Sequence, residues 1–347
     1  MLYSSCECEV RLTSSRIYRE QCKCRKAPPQ GGVLFSKDLF LFICYTFEMA
    51  DSIFNAKTIS DAEVVVVSAP YEKTASSKKG TKNGPKAIVN ILDSKLEIFD
   101  RTYKTEIGGK NGKVKIGQAN LSDIASFSPE KALLKITQEC GKILAQNKFV
   151  FLIGGEHSVS LGLLQALKGK ENPKDITILQ IDAHCDLRKD DSDYNDTPTK
   201  LAHSCVMRRA HELGYNLVQV GIRTYFKGEY EYFNDPKNNI KVFEWGNGNK
   251  IPEIDEILKS IKTKYIYITI DVDGFDPSSM PATGTAVSGG IDWWYGVELI
   301  KKAVDRFELI GADIVEVSPM KDSILTEYNA AQLFYTMIAH KFRDRLQ

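Results

Sequence analysis

The chain has 347 residues, 43% hydrophobic and 26% charged, a composition that supports a large buried core and argues against disorder. Its 46 lysines and arginines against 45 aspartates and glutamates leave a formal charge of +1. That balance gives no electrostatic reason to expect nucleic acid or an anionic membrane as partner, and it leaves small molecules as the expected ligands.

Residues 1 to 48 differ from the rest. Five of the eight cysteines fall there, as Cys6-x-Cys8, Cys22-x-Cys24 and Cys44, with a Pro-Pro-Gln-Gly-Gly break at Pro28 to Gly32. One intervening residue is a poor fit to the usual spacing of zinc-binding cysteine pairs. The segment is therefore expected to be a disordered leader, or translated upstream sequence with the functional start at Met49, followed by one catalytic domain over 49–347. Its apolar run, Leu39 to Cys44, is flanked by Asp38 and Glu48. It falls short of the stretch of about 18 residues that spans a bilayer, and it lies too far from the amino end for an ordinary signal peptide. Cys185 and Cys205 sit beside the candidate site, where a reducing, cytoplasmic setting would keep them free.

From Ala62 onward, apolar strand-like runs alternate with helical periodicity. Strands are expected at Val64 to Ser68, Lys148 to Ile153, Ile176 to Ile181, Asn216 to Gly221, Tyr265 to Ile270 and Leu309 to Val317. Helices are expected at Ser158 to Lys168, with Ser158 as N-cap, and at Ala202 to Leu213, Trp293 to Arg306 and Glu327 to Arg343. Alternation of this kind predicts an α/β fold with a mostly parallel sheet covered on both faces. Trp293, Trp294 and Tyr295 are expected to be buried as the first turn of a core helix, with exposure for contact with a neighbouring subunit as the other reading.

The chemistry concentrates at three strand ends. Asp182, His184 and Asp186 alternate in IDAHCDLR, and Asp271 and Asp273 alternate in TIDVDGFDP, so each set projects in one direction. In open α/β sheets ligands collect beyond the carboxyl ends of the strands. The third segment is Gly154-Gly155-Glu156-His157-Ser158, at a strand-to-helix turn. Three of the five histidines, His157, His184 and His203, fall in or beside these segments, whereas His211 and His340 lie on helices away from them. Four aspartates crowded together would repel one another without bound cations. Such a donor set exceeds one tetrahedral site and suits two divalent ions about 3.5–4 Å apart. Ligation rich in oxygen and free of thiolate favours manganese over zinc or copper, although ligand type also admits zinc, cobalt or nickel. Two such ions would supply hydroxide near neutral pH, which makes hydrolysis the expected reaction class.

Gly154 to Ser158, Asp182 to Asp186 and Asp271 to Pro277 resemble the three signature motifs of the ureohydrolases, the arginase and agmatinase family. The resemblance runs from about Val64 to Lys341 and includes Gly84 to Ile88, Val220 to Arg223 and Val315 to Pro319. It implies a three-layer α/β/α domain with two Mn2+ ions. Carried over by position, His157, Asp182, Asp186 and Asp271 would hold one ion, and Asp182, His184, Asp271 and Asp273 the other, with Asp182 and Asp271 as bridges. Asp186 would accept a hydrogen bond from the attacking hydroxide and pass a proton to the leaving amine. Glu316 would hold the guanidinium, and His203 matches the family's proton-relay histidine.

Asp186-Leu187-Arg188 and His203 to Arg209 are closest to the agmatinase pattern. The resemblance thus implies hydrolysis of agmatine to urea and putrescine, with guanidinobutyrate or arginine as the alternative substrate and a non-catalytic relative as the reading from another class. Agmatine's ammonium would favour acidic or aromatic neighbours, and Asp190, Asp191, Asp193 and Tyr194 stand in the loop between the motifs; a solvated surface loop is the other reading. Where the family commonly has Pro-Gly-Thr-Gly-Thr-Pro, this chain has Pro281 to Ala286 with Ala282 at the first glycine position. Ala282 would be strained if that position requires a positive φ. The family also implies a trimer or hexamer.

Overall fold

Ten strands and eight helices follow one another in the computed structural model, which describes residues 52–347. The leader and the cysteine pairs expected in residues 1–48 lie outside the described residues. In chain order the elements are β1 (Val64–Ala69), α1 (Gly84–Ser94), β2 (Phe99–Asp100), β3 (Thr105–Glu106), β4 (Ile116–Asn120), α2 (Pro129–Leu144), β5 (Phe149–Gly154) and α3 (Ser160–Lys168). Then come β6 (Ile176–Ile181), α4 (Val206–Glu212), β7 (Asn216–Ile222), α5 (Lys227–Asn234), β8 (Lys241–Glu244) and α6 (Ile254–Ser260). The last four are β9 (Tyr265–Asp271), α7 (Trp293–Arg306), β10 (Glu308–Val315) and α8 (Leu325–Lys341).

Eight strands form one sheet in the order β4-β1-β5-β10-β9-β6-β7-β8, parallel throughout, and β2 and β3 form a separate small hairpin. Successive side chains on a strand point to opposite faces, and the apolar residues divide accordingly. Val64, Val66, Phe151, Ile153, Ile268 and Ile270 enter a core with α1, α6, α7 and α8. Val65, Val67, Val150, Leu152 and Ile178 enter a second core with α2, α3 and α4. These are the three expected layers, with strands apolar on both faces because helices cover both. No helix among the described residues is long and apolar enough to cross a membrane.

Helix starts follow local chemistry. Ser128 accepts from Lys131 N ahead of Pro129 on α2, and Asp292 accepts from Trp294 N and Tyr295 N on α7. Two starts differ from expectation. Ser158 does not cap α3; its hydroxyl donates to Glu156 Oε1 at 2.8 Å within a 3-10 turn over His157–Val159. The stretch from His203 likewise begins as a 3-10 turn, because the Asp186 carbonyl takes the amides of Met207 and Arg208 at 3.0 and 3.1 Å and so fixes where α4 begins. Nor is the aromatic start of α7 buried as a unit: Trp293 and Tyr295 pack against the core, but helical rotation turns Trp294 outward, 61% exposed.

Phe334 on α8 meets Phe151 on β5 edge to face, with centroids 4.7 Å apart, inside the first core. Phe334→Ala is expected to cost about 3–5 kcal/mol of unfolding free energy. Urea titration would show it as a lowered midpoint with an unchanged slope.

Candidate metal centre and active site

The chain inserts β9 and β10 between β5 and β6. That order brings the carboxyl ends of four adjacent central strands together, each followed by one of the predicted segments. His157 follows β5, Asp182 follows β6, Asp271 ends β9, and Glu316 follows β10. All six predicted metal-type residues converge there. Donor atoms of His157, Asp182 and Asp186 lie within 4.8 Å of one another, as do those of Asp182, His184 and Asp273. Asp182 belongs to both groups, as a bridging ligand must. Asp271 stands beside the first, its Oδ2 3.7 Å from His157 Nδ1.

The state of His157 follows from its neighbours. The Thr269 hydroxyl donates to Asp313 Oδ1 at 2.6 Å, so at 2.8 Å from His157 Nε2 it acts as acceptor and that nitrogen carries the proton. In its neutral form the ring then presents a lone pair at Nδ1 to the carboxylates of Asp186 and Asp182, 3.0 and 3.2 Å away. Nδ1 is buried and has no hydrogen-bond partner. A lone pair facing carboxylate oxygens is repulsive unless a cation lies between them, and this donor set fits divalent metal ions. Without one, the site must take up protons. Burial, then Asp182, raises the Asp186 carboxyl to about 7. Burial, then Asp273 and Asp182, raises Asp271 well above the carboxylate range. Burial disfavours a charged His157, yet Asp182 and Asp186 push its pKa well up.

A second set of residues holds these donors in place. Asp313, Thr269, Gln180 and Gln219 occupy one row across β10, β9, β6 and β7, on the face covered by α2, α3 and α4. Gln219 donates to Gln180 Oε1 at 2.5 Å, and Gln180 donates to Asp182 Oδ2 at 2.7 Å. On the other side Asp313 also accepts from Tyr267, so the Asp313–Thr269–His157 connection is fixed at both ends. Asp273 accepts from Ala183 N at 3.1 Å and from the Thr285 hydroxyl at 2.9 Å. Gly274 permits this docking, since a Cβ there would lie 2.6 Å from Asp182 N.

The donors form the floor of a pocket of about 420 Å³ whose lining includes His184, Asp186, His203, Asp271 and Glu316. Glu316 Oε1 accepts from His157 N at 2.7 Å, and its second oxygen has no partner among the described residues. Asp186 and Glu316 both adopt positive φ, 53° and 64°. For Glu316 this is backbone strain retained at a site residue. His203 Nδ1 lies 2.8 Å from the Thr74 carbonyl and must carry the proton, so Nε2 accepts from the Ser76 hydroxyl at 3.2 Å. Burial lowers its pKa to about 4. Thr74 in turn donates through its hydroxyl and amide to Glu156, at 2.6 and 2.9 Å. Burial raises the Glu156 carboxyl to about 7 against those donors.

The acidic loop divides. Asp191 is buried and accepts from Thr199 N and the Asn195 side chain, Asp193 pairs with Arg188, and Asp190 is half-buried and accepts from Ser192 N. Of the four expected amine neighbours only Tyr194 lines the pocket. His211 is bonded to Tyr232 and Asn238, away from the site. Ala282 has no positive φ and is held by Thr326 Oγ1 and Ser318 N, so the anticipated strain is absent. Sequence reasoning missed Thr74, Glu156 and the polar row. The row had a signal, a lone polar residue inside each of four apolar strands; Thr74 had none.

The Arginase family profile matches residues 62–339. The chain is 34% identical over 292 residues to the N(1)-aminopropylagmatine ureohydrolase of Synechocystis sp., covering 81% of this chain and 90% of that one. It is 30% identical to the agmatinase of Bacillus subtilis, over 80% of this chain and 91% of that one. The crystal structure of the agmatine ureohydrolase of Thermoplasma volcanium superposes with a TM-score of 0.69 at 26% identity, covering 89% of this chain and 99% of that one.

Thr269→Val removes the acceptor that fixes the His157 ring. It is expected to weaken metal retention by roughly 10–100-fold, read by elemental analysis after dialysis against graded chelator. His203 sets a pH dependence. Folding lowers its pKa from 6.5 to about 4, so the unfolded chain binds a proton that the folded one does not, and stability falls as pH drops through that window. At pH 5 the loss from this group is at most about 2 kcal/mol. His203→Asn should therefore lose less stability than the wild type between pH 7 and pH 5 in denaturant titrations.

Proposed function

The chain belongs to the arginase family of hydrolases that act on guanidino compounds, and we propose that its substrates are guanidino-alkylamines, with agmatine as the simplest, cleaved to urea and the free amine. The observation that carries this reading is the clustered donor set with the bare His157 nitrogen turned toward three carboxylates, beneath a pocket where Glu316 keeps one oxygen free. Two manganese ions held by His157, Asp182, His184, Asp186, Asp271 and Asp273 would supply a hydroxide nucleophile at neutral pH.

The protein's own groups account for the rest. The free oxygen of Glu316 takes guanidinium N–H bonds and turns the central carbon toward the floor of the pocket. The Asp186 carboxylate accepts a proton from the nucleophile and returns it to the departing amine nitrogen. His203 Nε2, neutral at working pH, receives a proton at the pocket wall beside Ser76. Tyr225 offers a ring to the distal ammonium, while Arg188 is occupied by Asp193 and by the rings of Tyr194 and Phe226 and offers little to a substrate carboxylate. This arrangement supports an amine tail over the acid tail of arginine or guanidinobutyrate. N(1)-aminopropylagmatine, the same head on a longer tail, belongs to the proposed class.

Urea release from agmatine, arginine and guanidinobutyrate by manganese-loaded protein tests the reading. Agmatine is expected to turn over fastest, and Asp271→Ala to lose more than about a hundredfold, since even the partners of metal ligands carry effects of that size. Preference for either carboxylate-bearing compound would overturn the assignment. Chelator should abolish urea release and added Mn2+ restore it.

A further inference from the structure

The outer wall of the pocket is shared with a second recess. Thr224 and Tyr225 line both the pocket above the metal donors and an open recess of about 480 Å³, which Glu244, Trp245 and Asn247 help to enclose. The two are joined by backbone. Thr224 bridges His184, a candidate metal ligand, and the next residue, Tyr225, donates its hydroxyl to Glu244. Glu244 ends the edge strand β8 opposite Ile222 of β7. The recess thus continues the crevice at the carboxyl ends of the strands outward from the centre of the sheet.

The charges there are unbalanced. Glu244 accepts from Tyr225 and from the Asn247 side chain, but it makes no salt bridge among the described residues. Arg223, which also lines the recess, directs its guanidinium at the carbonyls of Gly221, Asp273, Gly274 and Val287. The wall shared by the two cavities carries exposed aromatic surface: Tyr225 stacks on Tyr230 with centroids 6.0 Å apart, and Phe226 beside it is 49% exposed. An uncompensated carboxylate behind an aromatic wall is complementary to an alkylammonium group, through charge-assisted hydrogen bonds and cation–π contact.

We propose that this recess is an outer amine subsite, in which Glu244 and Tyr225 bind a second amine of a substrate whose guanidinium lies at Glu316. The enzyme's preferred substrates are then guanidino-polyamines extended beyond the length of agmatine. The assignment rests on the guanidino-alkylamine reading above. Both amines of such a substrate are protonated at neutral pH, so loss of the Glu244 charge removes attraction for the outer amine alone.

The test pairs binding with turnover. Putrescine and spermidine are the amines left when urea is removed from agmatine and from N(1)-aminopropylagmatine, and calorimetry with each reads the subsite without catalysis. Wild-type protein is expected to bind spermidine roughly tenfold more tightly than putrescine, and Glu244→Gln to erase most of that difference. In urea release, Glu244→Gln should raise KM for N(1)-aminopropylagmatine about tenfold with kcat nearly unchanged, and leave both constants for agmatine within about twofold. Equal binding of the two amines by the wild type, which needs no variant, would overturn the subsite, and so would equal KM changes for the two guanidines. Spermidine preference without urea release from either compound would support the subsite and sink the guanidino-alkylamine reading instead.

Discussion

Everything in this molecule answers to one electrostatic problem: four aspartates and the bare nitrogen of His157 are held together in a site that excludes most water. Burial alone raises the cost of each charge, and each carboxylate raises it for the next. The arrangement is stable only with compensating positive charge, whether protons or metal ions. The polar row of Asp313, Thr269, Gln180 and Gln219 keeps the donors from relaxing away from one another. Each member sits at a position its apolar neighbours would otherwise fill, so the sheet gives up hydrophobic packing to keep the site oriented.

The parallel sheet makes the convergence possible. Parallel strands share one carboxyl edge, and inserting β9 and β10 between β5 and β6 sets four motif-bearing ends side by side on it. Helices cover both faces of the sheet, and the pocket lies at that edge. Close backbone approach finishes the assembly, because Gly274 lets the segment after β9 lie against Asp182 and lets Asp273 reach both Ala183 N and Thr285.

Charge is distributed differently farther out. Near the metal donors, acids are buried and mutually coupled; at the mouth, Arg188 is neutralised by Asp193 and rests against the rings of Tyr194 and Phe226. The loop acids that a linear reading offers as amine ligands are mostly structural, since Asp191 organises its own loop. Aromatic side chains line the pocket there instead, with Glu244 in the neighbouring recess.

Much of this was legible in the chain. Apolar β-branched runs set the central strands, because burial on both faces demands them, and alternating carboxylates at their ends marked Asp182, His184, Asp186, Asp271 and Asp273 as one chemical set. Charge balance made small molecules the expected ligands, in keeping with a family that acts on small guanidino compounds. The helices α1 and α2 were not anticipated, and short elements such as β8 and α5 escaped because a few residues carry too little periodicity. Strand order came only with the tertiary structure, since pairing depends on contacts distant in sequence. So did the tautomers of His157 and His203, each fixed by a partner more than a hundred residues away, Thr269 and Thr74. The sequence by itself determined which residue types could do the chemistry and on which strands they ride. Only packing decided which carboxylates face the site and which are spent on their own loops, because hydrogen-bond partners and burial are properties of three-dimensional neighbours.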